Sequence, residues 1–296
     1  MRNAFIEELV ALATEHPHVA LIVGDLGYSV VEPFADRFPE RFVNAGVAEQ
    51  NMTGLAAGMA SEGYHVFTYS IANFPTFRCA EQIRNDVDYH RLPVTVVAVG
   101  GGLAYGALGY SHHAVQDYAL LRAFPNMVLA APGDPLEVRA CMRWLVANPQ
   151  PSYLRLGKAG EPTFHGAVPA VEPGRWLPVA PGDTPESGTL LATGATLGLA
   201  MTRRARAVEG ARPAVHSLPL WGMAAKPTQL VQVERHARVV TLEDHLIDGG
   251  FGSWLMESVA RRPELLSRLS VDALDPRVCG TVGSQATLNA WGGLEA

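Results

Sequence analysis

Lysine is nearly missing from this chain of 296 residues: it occurs only at Lys158 and Lys226. Arginine carries almost all the positive charge, which reads as a compositional bias. Positive charge is not in excess either, and a net charge of −6 leaves no basic footprint for nucleic acid. Cysteine is scarce. Cys79, Cys141 and Cys279 are odd in number and far apart, with no CxxC pair and no metal-ligand spacing. That argues against a disulfide framework and points to a reducing compartment. No apolar run approaches the length of a membrane span. The first segment, MRNAFIEELVALATEHP, mixes Glu7, Glu8 and Glu15 with apolar residues. It reads as an amphipathic helix and not as a signal peptide. The expected location is the cytoplasm, with neither nucleic acid nor membrane as partner.

What is present is an alternation. Short apolar runs at 19–23, 64–70, 94–99, 127–131 and 152–156 read as buried strands. Helical patterns near 48–61, 76–90, 114–122 and 134–147 separate them. Such alternation predicts an α/β fold with a mostly parallel sheet flanked by helices. Pro162, Pro169, Pro173, Pro178, Pro181 and Pro185 then mark a stretch poor in helix-forming potential. A second, smaller α/β pattern follows, with strands at 189–193 and 238–244 and helices at 197–209 and from Ser253. The expected organisation is a first domain over 1–160, a linker over 161–187 and a second domain over 188–296.

The heptapeptide GVAEQNM at 46–52 is the most informative segment. It places Glu49 at the start of a helix rich in small residues, just after a strand end and turn. Ligands of open α/β sheets sit at such junctions. An acid in a first helical turn is also a common structural choice, because the helix dipole favours it there. The glycine run Gly100, Gly101 and Gly102 fits neither GxGxxG nor a Walker pattern. Close backbone approach at a strand end explains it better.

GVAEQNM together with GDLGYS (24–29), AEQIRNDV (80–87), GYSHHAVQD (109–117), PNMVLAAPGDPLE (125–137), PSYLRLGK (151–158) and VTLEDHLIDGGFGS (240–253) resembles the second half of the transketolase family, in the family's order. That group includes deoxyxylulose-phosphate synthase and the β subunits of 2-oxoacid dehydrogenases. The resemblance covers nearly the whole chain. It implies a pyrimidine-binding domain followed by the family's C-terminal domain, with thiamine diphosphate as cofactor. In the family a carboxylic acid hydrogen-bonds a ring nitrogen of the aminopyrimidine, and Glu49 matches that position. Such a carboxyl has to be desolvated so that it can hold and donate a proton.

The remaining site residues also follow from the resemblance. Phe74, or failing it Phe77, would stack on the aminopyrimidine, with ordinary core packing as the alternative. His112, preceded by Ser111, fits a substrate-channel motif and would exchange protons with a sugar hydroxyl. His113 is a weaker substrate candidate. Asp25 and Ser29 match positions near cofactor and substrate, although Asp beside Gly is also a plain turn signal. Arg155 and Lys158 fit positions where relatives hold phosphate.

Two departures bear on substrate. The glycine run stands where sugar-phosphate members carry a basic or imidazole group, and Leu108 stands where they carry an Asp. The enzyme would then act on a modified, deoxygenated or nucleotide-linked sugar, or a small 2-oxoacid. The diphosphate-binding GDG and Asn pair is missing, because GDL at 24–26 is followed by Asn44 at the wrong spacing. The resemblance therefore implies the small subunit of a split transketolase. A large subunit would supply the diphosphate and Mg2+ site, in an α2β2 assembly acting on small sugars. The rival readings are the β subunit of a 2-oxoacid dehydrogenase or decarboxylating synthase, and a non-catalytic assembly subunit.

Overall fold

The computed structural model describes residues 1–295. Its first six strands are β1 (Val19–Val23), β2 (Phe42–Asn44), β3 (His65–Ile71), β4 (Val94–Val99), β5 (Val128–Ala130) and β6 (Ser152–Leu156). The next six are β7 (Leu177–Ala180), β8 (Thr189–Ala192), β9 (Ala214–Ser217), β10 (Leu220–Gly222), β11 (Val239–Leu246) and β12 (Leu269–Leu274). They form a seven-stranded sheet, β10-β5-β6-β4-β3-β1-β2, and a five-stranded sheet, β12-β11-β8-β9-β7. Every pairing is parallel except β10 on β5 and β7 on β9. The mostly parallel α/β architecture is the one the alternation predicts. β1, β4, β5, β6 and β8 are buried at every residue, which is why they read as mainly apolar segments, β6 carrying the one charge, Arg155.

The differences from the sequence reading have physical causes. β7 lies inside the stretch expected to be a linker. It is an edge strand, where the missing N–H of Pro178 need not break a ladder. β10 comes from the second half of the chain but joins the first sheet, pairing Leu220 with Ala130. A strand of three residues carries no periodicity to detect. The helix expected over 76–90 is divided: a 3-10 turn at Phe77–Cys79, α-helix at Ala80–Gln82, then a π-helical stretch at Ile83–Asp88. No helix among the described residues is long and apolar enough to cross a membrane.

Parallel pairing of β2, β1, β3, β4 and β6 brings their C-terminal ends to one sheet edge, the usual ligand edge of such folds. The chain leaves that edge at Gly24, Ala45, Ala72 and Gly100. On the flank, the helix Arg2–Glu15 is held to the helix Pro135–Ala147 by Arg139 to Glu7 and Glu8, and by Arg143 to Glu8.

The segment after β6 is pinned by carboxylates of the motif GDPLE. Asp134 caps the helix Pro135–Ala147 by accepting from Glu137 N at 2.7 Å. Its other oxygen accepts from the backbone N–H groups of Phe164 (2.8 Å) and His165 (3.1 Å). Glu137 meets His165 Nε2 at 2.8 Å and accepts from Ser217 Oγ of β9 at 2.9 Å. The bond to Glu137 raises the His165 pKa above its ordinary 6.5, against burial, which lowers it. The contribution to stability is therefore fully present below about pH 6.5 and is lost as pH rises through the higher folded value. Denaturant melts of wild type and His165→Asn should differ most at pH 6 and converge in alkali; a constant difference would contradict the linkage.

Candidate active site

The turn after β2 has Gly46 at φ +72°, a conformation a side chain resists. The helix Glu49–Ser61 starts three residues later, with Glu49 in its first turn. The favourable field of the helix N-terminus meets the carboxylate there. The side chain turns inward and is 4% exposed. Gly24, just past β1, lies behind it, where an added Cβ would stand 3.5 Å from Glu49 Cγ. A cleft of about 400 Å³ opens in front, lined by Val47, Ala48, Glu49, Gln50, Asn51 and Arg78.

Arg78 dominates this cleft. Its Nη1 donates to Glu49 Oε2 at 3.0 Å. The same guanidinium covers the ring of Phe74, with Cζ 4.1 Å from the centroid. The Phe74 ring meets His112 edge-on at 5.3 Å, and His112 meets Tyr105 at 6.4 Å. Lys158 Nζ stands 4.7 Å from the Tyr105 centroid. A continuous file of contacts thus runs from Glu49 through Arg78, Phe74, His112 and Tyr105 to Lys158. Sequence reasoning missed Arg78. The available signal was that it is the first fully charged side chain after Glu62.

His112 is half-buried, with Nδ1 3.0 Å from Ser111 Oγ. Burial lowers its pKa, helped by His113 and Arg78, so the ring stays neutral and can accept a proton. His113 is buried beside it and faces inward, its Nε2 3.3 Å from the Gly106 carbonyl. Asp25 and Ser29 lie on the loop after β1 and both have left-handed backbones, with φ of 55° and 62°. Asp25 Oδ1 accepts from Asn44 Nδ2 at 3.0 Å and from the Tyr28 hydroxyl at 3.1 Å. The backbone N–H of Ser29 donates to Glu32. Phe77 points outward and is 44% exposed, while Phe74 carries the ring contacts. Tyr28, Val47, Leu108 and Tyr110 are also exposed on the segments bearing these residues.

Arg155 requires a correction: the structure does not offer it to a substrate phosphate. It is buried at the junction of the two sheets. Its Nε donates to Asp117 at 2.7 Å, Nη1 to Asp244 at 2.5 Å, and Nη2 to the Ala114 carbonyl at 2.7 Å. Its plane also lies 4.4 Å from the Tyr118 centroid. Burial opposes its charge, but Asp117 and Asp244 overcome that and hold it protonated. The glycine run is the other half of this arrangement. A Cβ at Gly101 would lie 2.5 Å from Arg155 Nε, and one at Gly102 would lie 2.3 Å from Asp244 Oδ2. Close approach, not phosphate binding, accounts for these glycines. Arg155→Met should cost about 3–5 kcal/mol in urea unfolding, because two carboxylates are left buried and unpaired. A loss under about 1 kcal/mol would show that the junction does not depend on the ion pair.

Residues 1–160 match the family profile described as transketolase, pyrimidine binding domain. The chain belongs to the transketolase family. It is 32% identical over 282 residues to one of the subunits of the apulose-4-phosphate transketolase of Phocaeicola vulgatus, covering 88% of this chain and 84% of that protein. It is 36% identical over 265 residues to a putative transketolase C-terminal section of Methanocaldococcus jannaschii, covering 88% and 82% respectively. A solved structure described as a split gene transketolase, inactive beta4 tetramer, superposes with a TM-score of 0.84 at 30% identity. That match covers 99% of this chain and 93% of the other.

Proposed function

We propose that this chain is the pyrimidine-binding subunit of a two-component, thiamine-diphosphate-dependent transketolase. It transfers a two-carbon ketol unit from a ketose donor to an aldehyde acceptor. The observation that carries the reading is the juxtaposition of a buried carboxylate, Glu49, with the face of an aromatic ring, Phe74, at the ligand edge of the parallel sheet. Two relatives of nearly the same length, one named as a transketolase subunit and the other as a C-terminal section, support a divided enzyme.

The residues fit the pyrimidine end of the coenzyme. A flat, nitrogen-bearing group already bridges Glu49 and Phe74 here, namely the Arg78 guanidinium. When bound, thiamine diphosphate supplies the carbanion chemistry. Glu49 would hydrogen-bond a pyrimidine ring nitrogen, and Phe74 would give that ring a surface to stack on. His112, with Nδ1 against Ser111, presents Nε2 to a substrate hydroxyl. Lys158 stands at the far end of the contact file as the cation for an anionic substrate group, a role Arg155 cannot fill. The exposed Leu108 near His112 favours an acceptor less polar than an ordinary sugar phosphate.

A large subunit provides the diphosphate and Mg2+ site in an α2β2 assembly. The exposed Val47 and Phe77 beside the cleft, and the bare surface at Gly54 and Gly58 of the Glu49 helix, suit burial against that subunit. An inactive β-only assembly, as described for the split-gene relative, agrees with a chain that needs a companion. Glu49→Gln, assayed in the reconstituted complex with a ketose-donor screen, should lose at least ~10²-fold in rate while the fold persists. An unchanged rate would favour an assembly role. His112→Asn should lower kcat/KM and remove an acidic limb that falls below pH 6.5, since its pKa lies beneath that value.

A further inference from the structure

The geometry points to Arg78 as an internal surrogate for the cofactor's aminopyrimidine: its guanidinium closes the pyrimidine site until the cofactor displaces it. The inference rests on the proposed function above. A guanidinium is planar, carries N–H donors in its plane, and stacks on aromatic faces. Arg78 uses both properties at once, lying 4.1 Å over Phe74 and donating to Glu49 Oε2 at 3.0 Å. An aminopyrimidine needs the same ring face and the same carboxyl. Two planar groups cannot occupy one face of Phe74, so Arg78 has to rotate away before the ring enters.

The surroundings allow that rotation. The Arg78 side chain is 49% exposed, whereas its partner Glu49 is 4% exposed. It stands on the 3-10 turn Phe77–Cys79, whose last residue leads into the α-helical and π-helical segments. A guanidinium also satisfies an ionised carboxylate, while a ring nitrogen accepts only from a protonated one. Departure of Arg78 therefore does two things: it clears the face of Phe74 and releases the Glu49 carboxyl from its ion pair so that it can face the ring. Until then the buried carboxylate keeps a counter-charge.

A competitor that fills the site in most molecules weakens apparent affinity by the fraction of sites left open. The test is calorimetric and stopped-flow binding of thiamine diphosphate, with Mg2+, to the reconstituted complex carrying wild type, Arg78→Met, Arg78→Lys or Glu49→Gln. Arg78→Met should bind about three- to tenfold tighter, through a faster association rate with dissociation unchanged. Arg78→Lys, which can pair with Glu49 but cannot lie flat on Phe74, should fall between. Equal or weaker binding by Arg78→Met and Arg78→Lys, where Glu49→Gln still loses affinity, overturns the surrogate and leaves the proposed function standing. Wild-type binding that Glu49→Gln does not alter, or no wild-type binding, overturns both.

Discussion

The guanidinium of Arg155 is wedged between a carboxylate at the start of a short helix, Asp117, and one on a strand of the second sheet, Asp244. A fully buried cation is tolerable only with such partners, and each partner restricts where its own element can lie. β6 supplies the arginine, and β11 supplies Asp244 and its carbonyl. This one side chain thereby ties the two sheets together at their buried junction. The same group accounts for the glycine run after β4, which passes so close to the ion pair that a side chain would strike it. It also grips the carbonyl of Ala114, at the end of the loop that presents His112. The bridge between Gly102 and Ala114 closes that loop at its base. A junction far from solvent thus sets the position of a histidine at the rim.

The site is built from loops at the ends of rigid strands. Glu49, Phe74 and His112 belong to three separate connections, each leaving the same sheet edge. Strand pairing fixes their spacing, and the loops fix their direction. The edge remains open on the side where Val47 and Phe77 are exposed, which leaves apolar surface uncovered beside the cleft. Arg78 lies across this open side and links the acid to the aromatic ring.

Much of this was legible in order along the chain. Buried parallel strands need apolar residues on both faces, so β1 and β4 showed themselves as apolar runs. Glu49 was legible because a seven-residue motif fixes its local setting. Arg155 was misread because its motif shows that an arginine stands at a strand end, not whether carboxylates distant in sequence have already taken it. Phe74 and Phe77 are three residues apart in one turn, and sequence could not say which ring points inward. β7 and β10 escaped because short edge strands are stabilised by neighbours, not by their own pattern.

The sequence by itself determined the fold class, the family motifs, and the carboxylate at the strand-to-helix junction, because each depends on local spacing and apolar patterning. Only the tertiary structure decided which arginine is locked in the interior and which stands at the cleft. Asp117 and Asp244 lie well away from Arg155 along the chain, and Glu49 is far from Arg78. A charge becomes buried structure or working surface according to which opposite charges the fold brings within contact, and no stretch of sequence records those distances.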